Sequence, residues 1–144
     1  LAAGRLMVEG RPAALQNIRT PLFVVGTERD HVAPWRSVYK IHYLTDADVT
    51  FVLTSGGHNA GIVSEPSRPR RRFRIATVTH DDARLGPDEW VENATTHDGS
   101  WWTSWVAWVG AHSAAERVAP PAMGNAGKGL APLDDAPGTY VLQR

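Results

Sequence analysis

Two apolar runs dominate the hydrophobic pattern of the first third of the chain. Residues 21–26, "PLFVVG", open with Pro and close with Gly, and residues 49–53, "VTFVL", are a second apolar, β-branched run. Runs that lack polar alternation are typical of strands buried on both faces of a parallel sheet. We therefore predict one strand over 21–26 and another over 49–53.

The segment between these runs has a helical pattern. Apolar and aromatic residues recur at i, i+3, i+4 and i+7, at Trp35, Val38, Tyr39 and His42, which is the spacing of one helix face. Pro34 suits the first helical position. About two dozen residues are enough for a crossover between parallel strands. The pattern thus predicts strand, helix, strand, and an α/β fold class.

The pattern changes after residue 64. Residues 64–74, "SEPSRPRRRFR", form a basic segment interrupted by proline, which predicts a connection, and a short helix is expected to begin at Pro87. Residues 119–138 are rich in Pro and Gly, which predicts a tail that lies on a surface.

A Trp-rich helix is predicted within residues 99–118. Trp101, Trp105 and Trp108 follow helical spacing, and Ser100 or Asp98 suits the N-cap. Such a stripe usually packs into a core, and the alternative is an apolar surface that contacts a polymer or a partner protein.

Composition narrows the classes of function. The chain has 15 Lys and Arg against 15 Asp and Glu, which argues against binding to nucleic acid or to an anionic membrane surface. It has no apolar stretch long enough to span a membrane. It has no Cys, so disulfides, thiolate metal sites and a Cys nucleophile are excluded within it. Because it begins at Leu1 without Met, we expect it to be a piece of a longer protein.

The candidate chemistry lies just beyond the two predicted strands. Asp30 falls four residues after the first strand and His58 five residues after the second, following Gly56 and Gly57. Ligands and catalytic groups gather beyond the carboxyl ends of parallel strands. We therefore expect the Asp30 carboxylate to reach one imidazole nitrogen of His58, as the acid and base of a hydrolase-type triad do.

Ordinary interpretations of these residues stay open. An Asp in a strand-to-helix turn is commonly a cap, and a Gly-Gly-His sequence is commonly a loop. His31 is either a second active-site His or a turn residue.

Four separated segments resemble a known family. The segments are "PLFVVGTERDHVAPWRSVYK", "FVLTSGGHNAGIVSEP", "GSWWTSWVAWV" and "APGTYV". They are similar, in the same order, to the C-terminal part of polyhydroxyalkanoate synthases of the single-subunit type. The resemblance implies an α/β-hydrolase fold and an acyltransferase that polymerises (R)-3-hydroxyacyl-CoA into polyester with release of CoA.

The resemblance also implies roles for single residues. Asp30 is implied as the catalytic acid, His58 as the catalytic base, and His31 as the His that neighbours the acid. The family's nucleophile is a Cys in a lipase-like box upstream, so this piece alone is expected to be inactive. Asn59, where the family often has an apolar residue, and Trp35 are assigned as substrate contacts.

The implied organisation follows from the same match. Residues 1–64 correspond to the end of the α/β-hydrolase catalytic domain, with its last two parallel strands and their crossover helix. Residues 65–98 form a connection with a short helix, and residues 99–144 form the Trp-rich helix and a tail packed on the same domain.

The resemblance further implies partners and a location. The implied partners are the acyl-CoA substrate, the growing polyester, the upstream part of the same chain and a second copy in a homodimer. The implied location is the cytoplasm, at the surface of polyester granules. We expect no cofactor and no metal ion, since the CoA thioester is a substrate.

Two other functions share these residues. An esterase or thioesterase of the α/β-hydrolase type would use the same Asp30 and His58, and a non-catalytic module would bind polymer or protein through its Trp-rich helix. An upstream Cys in the nucleophile turn favours the synthase, a Ser favours the hydrolase, and neither favours the module.

Overall fold

The chain divides into two units, Leu1–Ser113 and Ala114–Arg144. The longer unit contains a mixed β-sheet with helices on its faces. The computed structural model describes residues 2–143. The strands are β1 (Leu6–Val8), β2 (Arg11–Ala13), β3 (Leu22–Thr27), β4 (Val49–Thr54), β5 (Arg72–Val78) and β6 (Thr95–Asp98). The α-helices are α1 (Trp35–Val38), α2 (Ile41–Leu44), α3 (Pro87–Asn93) and α4 (Trp102–Ala111). A single 3₁₀ turn, Leu15–Asn17, precedes β3.

The predicted strand pair is present and parallel. β3 and β4 lie side by side in register, from Leu22 opposite Val49 to Thr27 opposite Thr54. This pairing brings the carboxyl ends of both strands to one edge of the sheet. Together with the helices on the two faces of the sheet, it confirms the predicted α/β class.

The expectation that this pair closes the sheet was wrong. The order is β3-β4-β5-β6, and β5 and β6 extend the sheet by antiparallel pairing. Both strands lie within residues 65–98, which were predicted as a connection with one short helix. The helix itself is confirmed as α3, which begins at Pro87.

The arginines concealed β5 in the sequence. Phe73 is buried and Ile75 packs beside it, while Arg72 and Arg74 alternate with them. Both guanidinium groups lie near the Glu28 carboxylate, at 3.8 and 3.5 Å. Because apolar and basic residues alternate along this half-buried strand, its sequence resembles a basic loop unless the two-residue period of the apolar positions is recognised.

The predicted crossover helix is broken into α1 and α2, with a turn at residues 39–40. Its apolar stripe still faces the core, since Tyr39 is 1% exposed and His42 is 5% exposed. The predicted helix face is therefore confirmed although the helix is not continuous.

Aromatic rings fill the core on one face of the sheet. Phe51, on the central strand β4, is fully buried and meets Trp90 and Tyr39 edge-on, with ring centroids 5.1 and 5.2 Å apart. Such edge-to-face pairs add to the stabilisation from burial alone.

Helix α4 covers the opposite face. Trp101 and Trp108 pack against Phe23, with ring centroids 6.2 and 5.6 Å apart. Trp105 remains 45% exposed. Core packing therefore accounts for part of the predicted Trp stripe. The N-cap residue of α4 is Trp101 and not Ser100 or Asp98 as predicted, although the Ser100 hydroxyl accepts a hydrogen bond from the N–H of Trp102.

The second unit, Ala114–Arg144, contains two 3₁₀ turns, Ala126–Lys128 and Thr139–Leu142. The expectation that this tail packs on the catalytic domain stays a prediction. Across residues 2–143, every helix is too short or too polar to cross a membrane.

Buried His42 makes the fold sensitive to acid. Burial lowers the pKa of His42 to about 4 from its ordinary 6.5, and the charge of Arg84 lowers it further. Among residues 2–143, its Nε2 has no hydrogen-bond partner. The unfolded chain therefore binds a proton at this residue at a higher pH than the folded chain does.

We predict that the free energy of unfolding falls by up to about 3 kcal/mol through His42 as the pH drops from about 6.5 to 4. The contribution is fully present above the unfolded pKa and is lost as the pH approaches the folded value. Urea unfolding across this range, compared with His42→Phe, measures it. An equal loss of stability in the variant would contradict the assignment.

Candidate functional site

Asp30 is held by the turn that follows β3. Its Oδ1 accepts hydrogen bonds from the backbone N–H groups of Val32 and Ala33, at 2.9 and 2.8 Å. Its own N–H donates to the carbonyl of Thr27 at 3.3 Å. The side chain is only 7% exposed. The carboxylate is therefore fixed by the backbone around it, as an Asp that closes a turn usually is.

His58 lies on a tight turn that follows β4. The N–H of Gly61 donates to the carbonyl of Gly57 at 2.9 Å, which closes the turn around His58. Gly56 begins the segment with φ +119°, a conformation that favours glycine, and a Cβ there would lie 2.9 Å from the Cα of Gly61. The predicted sharp turn before His58 is thus confirmed.

The two side chains meet at the carboxyl edge of β3 and β4. The Nδ1 of His58 lies 2.9 Å from the Oδ2 of Asp30, which confirms the predicted contact. The hydroxyl of Thr27 lies 3.4 Å from the same oxygen. The His58 side chain is 48% exposed, so part of the imidazole is accessible from outside.

The ionisation of Asp30 fixes the tautomer of His58. The N–H of Ala33, then the hydrogen bonds from His58 and Val32, lower the pKa of Asp30 to about 2, although partial burial opposes this shift. At neutral pH the carboxylate is ionised and can only accept. Nδ1 of neutral His58 must then carry the proton, and Nε2 is left with a lone pair. This arrangement leaves Nε2 able to accept a proton while the carboxylate holds Nδ1.

A small pocket opens beside this pair. Its volume is about 170 Å³. Apolar side chains form much of its wall, namely Val25, Ala33, Val38 and Ile62. A group placed here would contact both these hydrocarbon side chains and His58.

A second His–Asp pair provides an internal comparison. His80 Nδ1 lies 2.9 Å from Asp48 Oδ1 at the opposite edge of the sheet, where β4 begins and β5 ends. The Asp48 side chain is 41% exposed, against 7% for Asp30. The Asp48 hydrogen bond raises the pKa of His80, as does the charge of Asp81. The distance between the His and Asp side chains is the same in the two pairs. The pairs differ in the burial of the Asp side chain and in the edge of the sheet at which they lie.

Comparison with known proteins finds similar sequences. No family model matches the chain. The chain is 36% identical over 138 residues, 96% of its length, to poly(3-hydroxyalkanoate) polymerase subunit PhaC of Cupriavidus necator. It is 34% identical over 139 residues to poly(3-hydroxyalkanoate) polymerase 1 of Ectopseudomonas oleovorans, and 36% identical over 144 residues to the corresponding polymerase of Methylorubrum extorquens.

The chain matches the C-terminal part of the poly(3-hydroxyalkanoate) polymerases. This confirms the predicted resemblance to polyhydroxyalkanoate synthases. The match covers about a quarter of the relatives' length, 22% of the Cupriavidus protein and 24% of the Ectopseudomonas protein, at their C-terminal part.

The other residues predicted for the polymerase site lie around the pair. His31 is exposed beside Asp30. Asn59 is exposed on the His58 turn, where its carbonyl accepts from the N–H groups of Ile62 and Val63. Trp35 is half-buried and packs against Tyr39, with ring centroids 6.3 Å apart. Neither Asn59 nor Trp35 lines the pocket beside the pair, and their assignment as substrate contacts stays a prediction.

Sequence reasoning missed several residues that shape this polymerase segment. Thr27 and Ile62 line the pocket. Trp101 and Trp102 donate their indole N–H groups to the carbonyls of Gly61 and Ile62, at 3.1 and 3.0 Å. The apolar residues Ile62 and Val63 after His58 were the sequence signal for this part of the pocket wall. The indole contacts join residues 40 apart in sequence, and no local pattern indicates them.

Proposed function

We propose that this chain is the C-terminal part of an α/β-hydrolase-type polyhydroxyalkanoate synthase and supplies the Asp and His of a Cys-His-Asp triad. The observation that carries the proposal is the hydrogen bond of 2.9 Å between His58 and Asp30, in a chain that matches the polymerases. The chain has no Cys, so the nucleophile is assigned to a preceding segment of the same protein.

The base is positioned to activate such a thiol. Nε2 of His58 takes the thiol proton, and Asp30 stabilises the imidazolium that results. The thiolate attacks the carbonyl carbon of an (R)-3-hydroxyacyl-CoA, a C–S bond forms, and the bond to the CoA sulfur breaks. The CoA thiolate takes the proton from His58 and leaves as CoA-SH. An acyl group remains on the enzyme.

Chain growth needs a second proton transfer. The 3-hydroxyl of one unit attacks the acyl thioester of another, and a hydroxyl is a poor nucleophile unless a base removes its proton. A C–O ester bond forms, the thioester C–S bond breaks, and the thiolate that leaves takes the proton from the base. His58 oriented by Asp30, or Asp30 itself, is the group within reach. The pocket of about 170 Å³ places hydrocarbon beside the pair, which suits an acyl chain.

The remaining partners follow from this reaction. The growing polyester and the acyl-CoA are the proposed ligands, with no cofactor and no metal ion. A second copy in a homodimer and a location at polyester granules in the cytoplasm are further parts of the proposal, and they rest on the resemblance to the synthases alone.

An esterase or thioesterase is the second candidate. Hydrolysis would use the same base and acid, with water in place of the hydroxyl group. The curated relatives are polymerases, which favours acyl transfer. The burial of Asp30 at the imidazole and the pocket beside the pair disfavour the non-catalytic module.

Grafting this chain into a relative tests the proposal. The matched 22% of the Cupriavidus necator polymerase is replaced by this chain, and CoA release from 3-hydroxybutyryl-CoA is measured with a thiol reagent. We expect CoA release together with polymer formation. CoA release without polymer would support the hydrolase, and a folded graft without CoA release would contradict both enzymes.

The isolated chain is the matched negative control. Without a Cys it cannot form the acyl-enzyme, so the same assay should give CoA release at the uncatalysed rate. Release that depends on the isolated chain would contradict the proposal that the nucleophile lies elsewhere.

A further inference from the structure

The turn that carries His58 is held by two contacts at one residue, Gly61. Its backbone lies against the side chain of Thr27 at the end of β3. Its carbonyl accepts the indole N–H of Trp101 at 3.1 Å. Thr27 is 1% exposed and Trp101 is 8% exposed, so both contacts are buried.

The clearance between Gly61 and Thr27 leaves no room for a side chain. A Cβ on Gly61 would lie 2.5 Å from Cγ2 of Thr27, 2.9 Å from its Cβ and 3.0 Å from the carbonyl oxygen of Gly57. Thr27 is β-branched and buried, so it has little rotamer freedom with which to withdraw. A methyl group at Gly61 would therefore push the turn away from β3.

The same movement would separate the pair. Thr27 closes the strand whose following turn holds Asp30, and its hydroxyl lies 3.4 Å from Asp30 Oδ2. The Gly61 N–H closes the turn around His58 by donating to Gly57. Displacing Gly61 from Thr27 thus displaces His58 from Asp30.

The Gly-Ser-Trp-Trp segment adds further hydrogen bonds to the same turn. Besides Trp101, Trp102 donates its indole N–H to the Ile62 carbonyl at 3.0 Å. The Ser100 hydroxyl donates to the Ser64 carbonyl. Three successive residues at the start of α4 therefore bond to the backbone of residues 61–64.

We propose that Gly61 is a positioning residue which, held by its contacts with Thr27 and the indole N–H of Trp101, holds the imidazole of His58 at the Asp30 carboxylate. The positioning of His58 by Gly61 is independent of the proposed function, and only its effect on turnover rests on that function. The Gly-Ser-Trp-Trp segment thereby acts on the site from a distance, through the backbone of the turn.

The first test measures the geometry without activity. In the 144-residue chain, ¹⁵N NMR of the neutral His58 ring reports which nitrogen carries the proton. We expect Nδ1 to be protonated in the parent chain, and Gly61→Ala to move both nitrogens towards a mixture of tautomers. Gly110→Ala is the matched control, since a Cβ there meets nothing within 4 Å, and it should leave the signal unchanged.

A rescue variant separates the loss of this positioning from general damage. Thr27→Ser removes the methyl group that lies 2.5 Å from the added Cβ and keeps the hydroxyl. The double variant Gly61→Ala/Thr27→Ser should recover the Nδ1–H signal in part. If Gly61→Ala does not fold, Trp101→Phe, which removes the indole N–H but keeps an aromatic ring, provides the same NMR test.

The second test measures turnover in the grafted polymerase. Gly61→Ala should lower kcat by about 10²-fold, the effect typical of a displacement near 1 Å, with little change in KM. An unchanged tautomer signal in folded Gly61→Ala, or an unchanged kcat while His58→Ala loses activity, would overturn the positioning role. Full turnover in His58→Ala would instead overturn the proposed function, and the NMR result would still decide the geometry.

Discussion

Replacing His58 by Ala in the grafted polymerase is expected to lower turnover by roughly 10³-fold, within the range of 10²–10⁴ that a positioned general base contributes. The reason is that a thiol is mostly protonated at neutral pH, and Nε2 of His58 is the basic nitrogen of the pair. Asp30→Asn should cause a loss of similar order, because the amide can present its NH₂ to Nδ1 and reverse the tautomer.

The His80–Asp48 pair supplies the matched control. Its two atoms are also 2.9 Å apart, but it lies at the opposite edge of the sheet. His80→Ala should leave turnover unchanged. If His58→Ala and His80→Ala lowered the turnover of folded proteins equally, the assignment of His58 as the catalytic base would be wrong.

Removing the ring of Phe51 is expected to have the largest effect on stability. Phe51 is fully buried on central strand β4, between β3 and β5, and its ring meets those of Trp90 and Tyr39. Strands on both sides prevent β4 from collapsing into the cavity. We expect Phe51→Ala to lower the free energy of unfolding by about 3–5 kcal/mol.

Denaturant unfolding followed by circular dichroism measures this loss. Val106→Ala is the control, because Val106 is 62% exposed on α4 and its truncation removes little buried surface. It should change the free energy of unfolding by no more than about 0.5 kcal/mol. A Phe51→Ala variant as stable as this control would contradict the placement of the core.

The sequence was most informative where one physical signal was decisive. The bare apolar runs of β3 and β4 predicted buried parallel strands, and their ends predicted that Asp30 would meet His58. The stripe of Trp35, Tyr39 and His42 predicted which residues face the core, although the helix is broken at residues 39–40.

Competing signals explain what was missed. In β5 the arginines masked an alternating strand, and β6, "TTHD", is an exposed edge strand with no apolar period. The positioning by Gly61 depends on contacts between residues 34 and 40 positions apart in the chain. Such contacts follow from the tertiary fold, so neither local propensity nor periodicity could indicate them.

The central claim is that Asp30 acts through His58, and a double-variant cycle in the grafted polymerase tests it most directly. Turnover is measured for His58→Ala, Asp30→Asn and the variant that carries both substitutions. Because an acid and the base that it orients act as a unit, the double variant should be no slower than His58→Ala alone. Losses that multiply in the double variant would mean that the two residues act independently, and this would contradict the account.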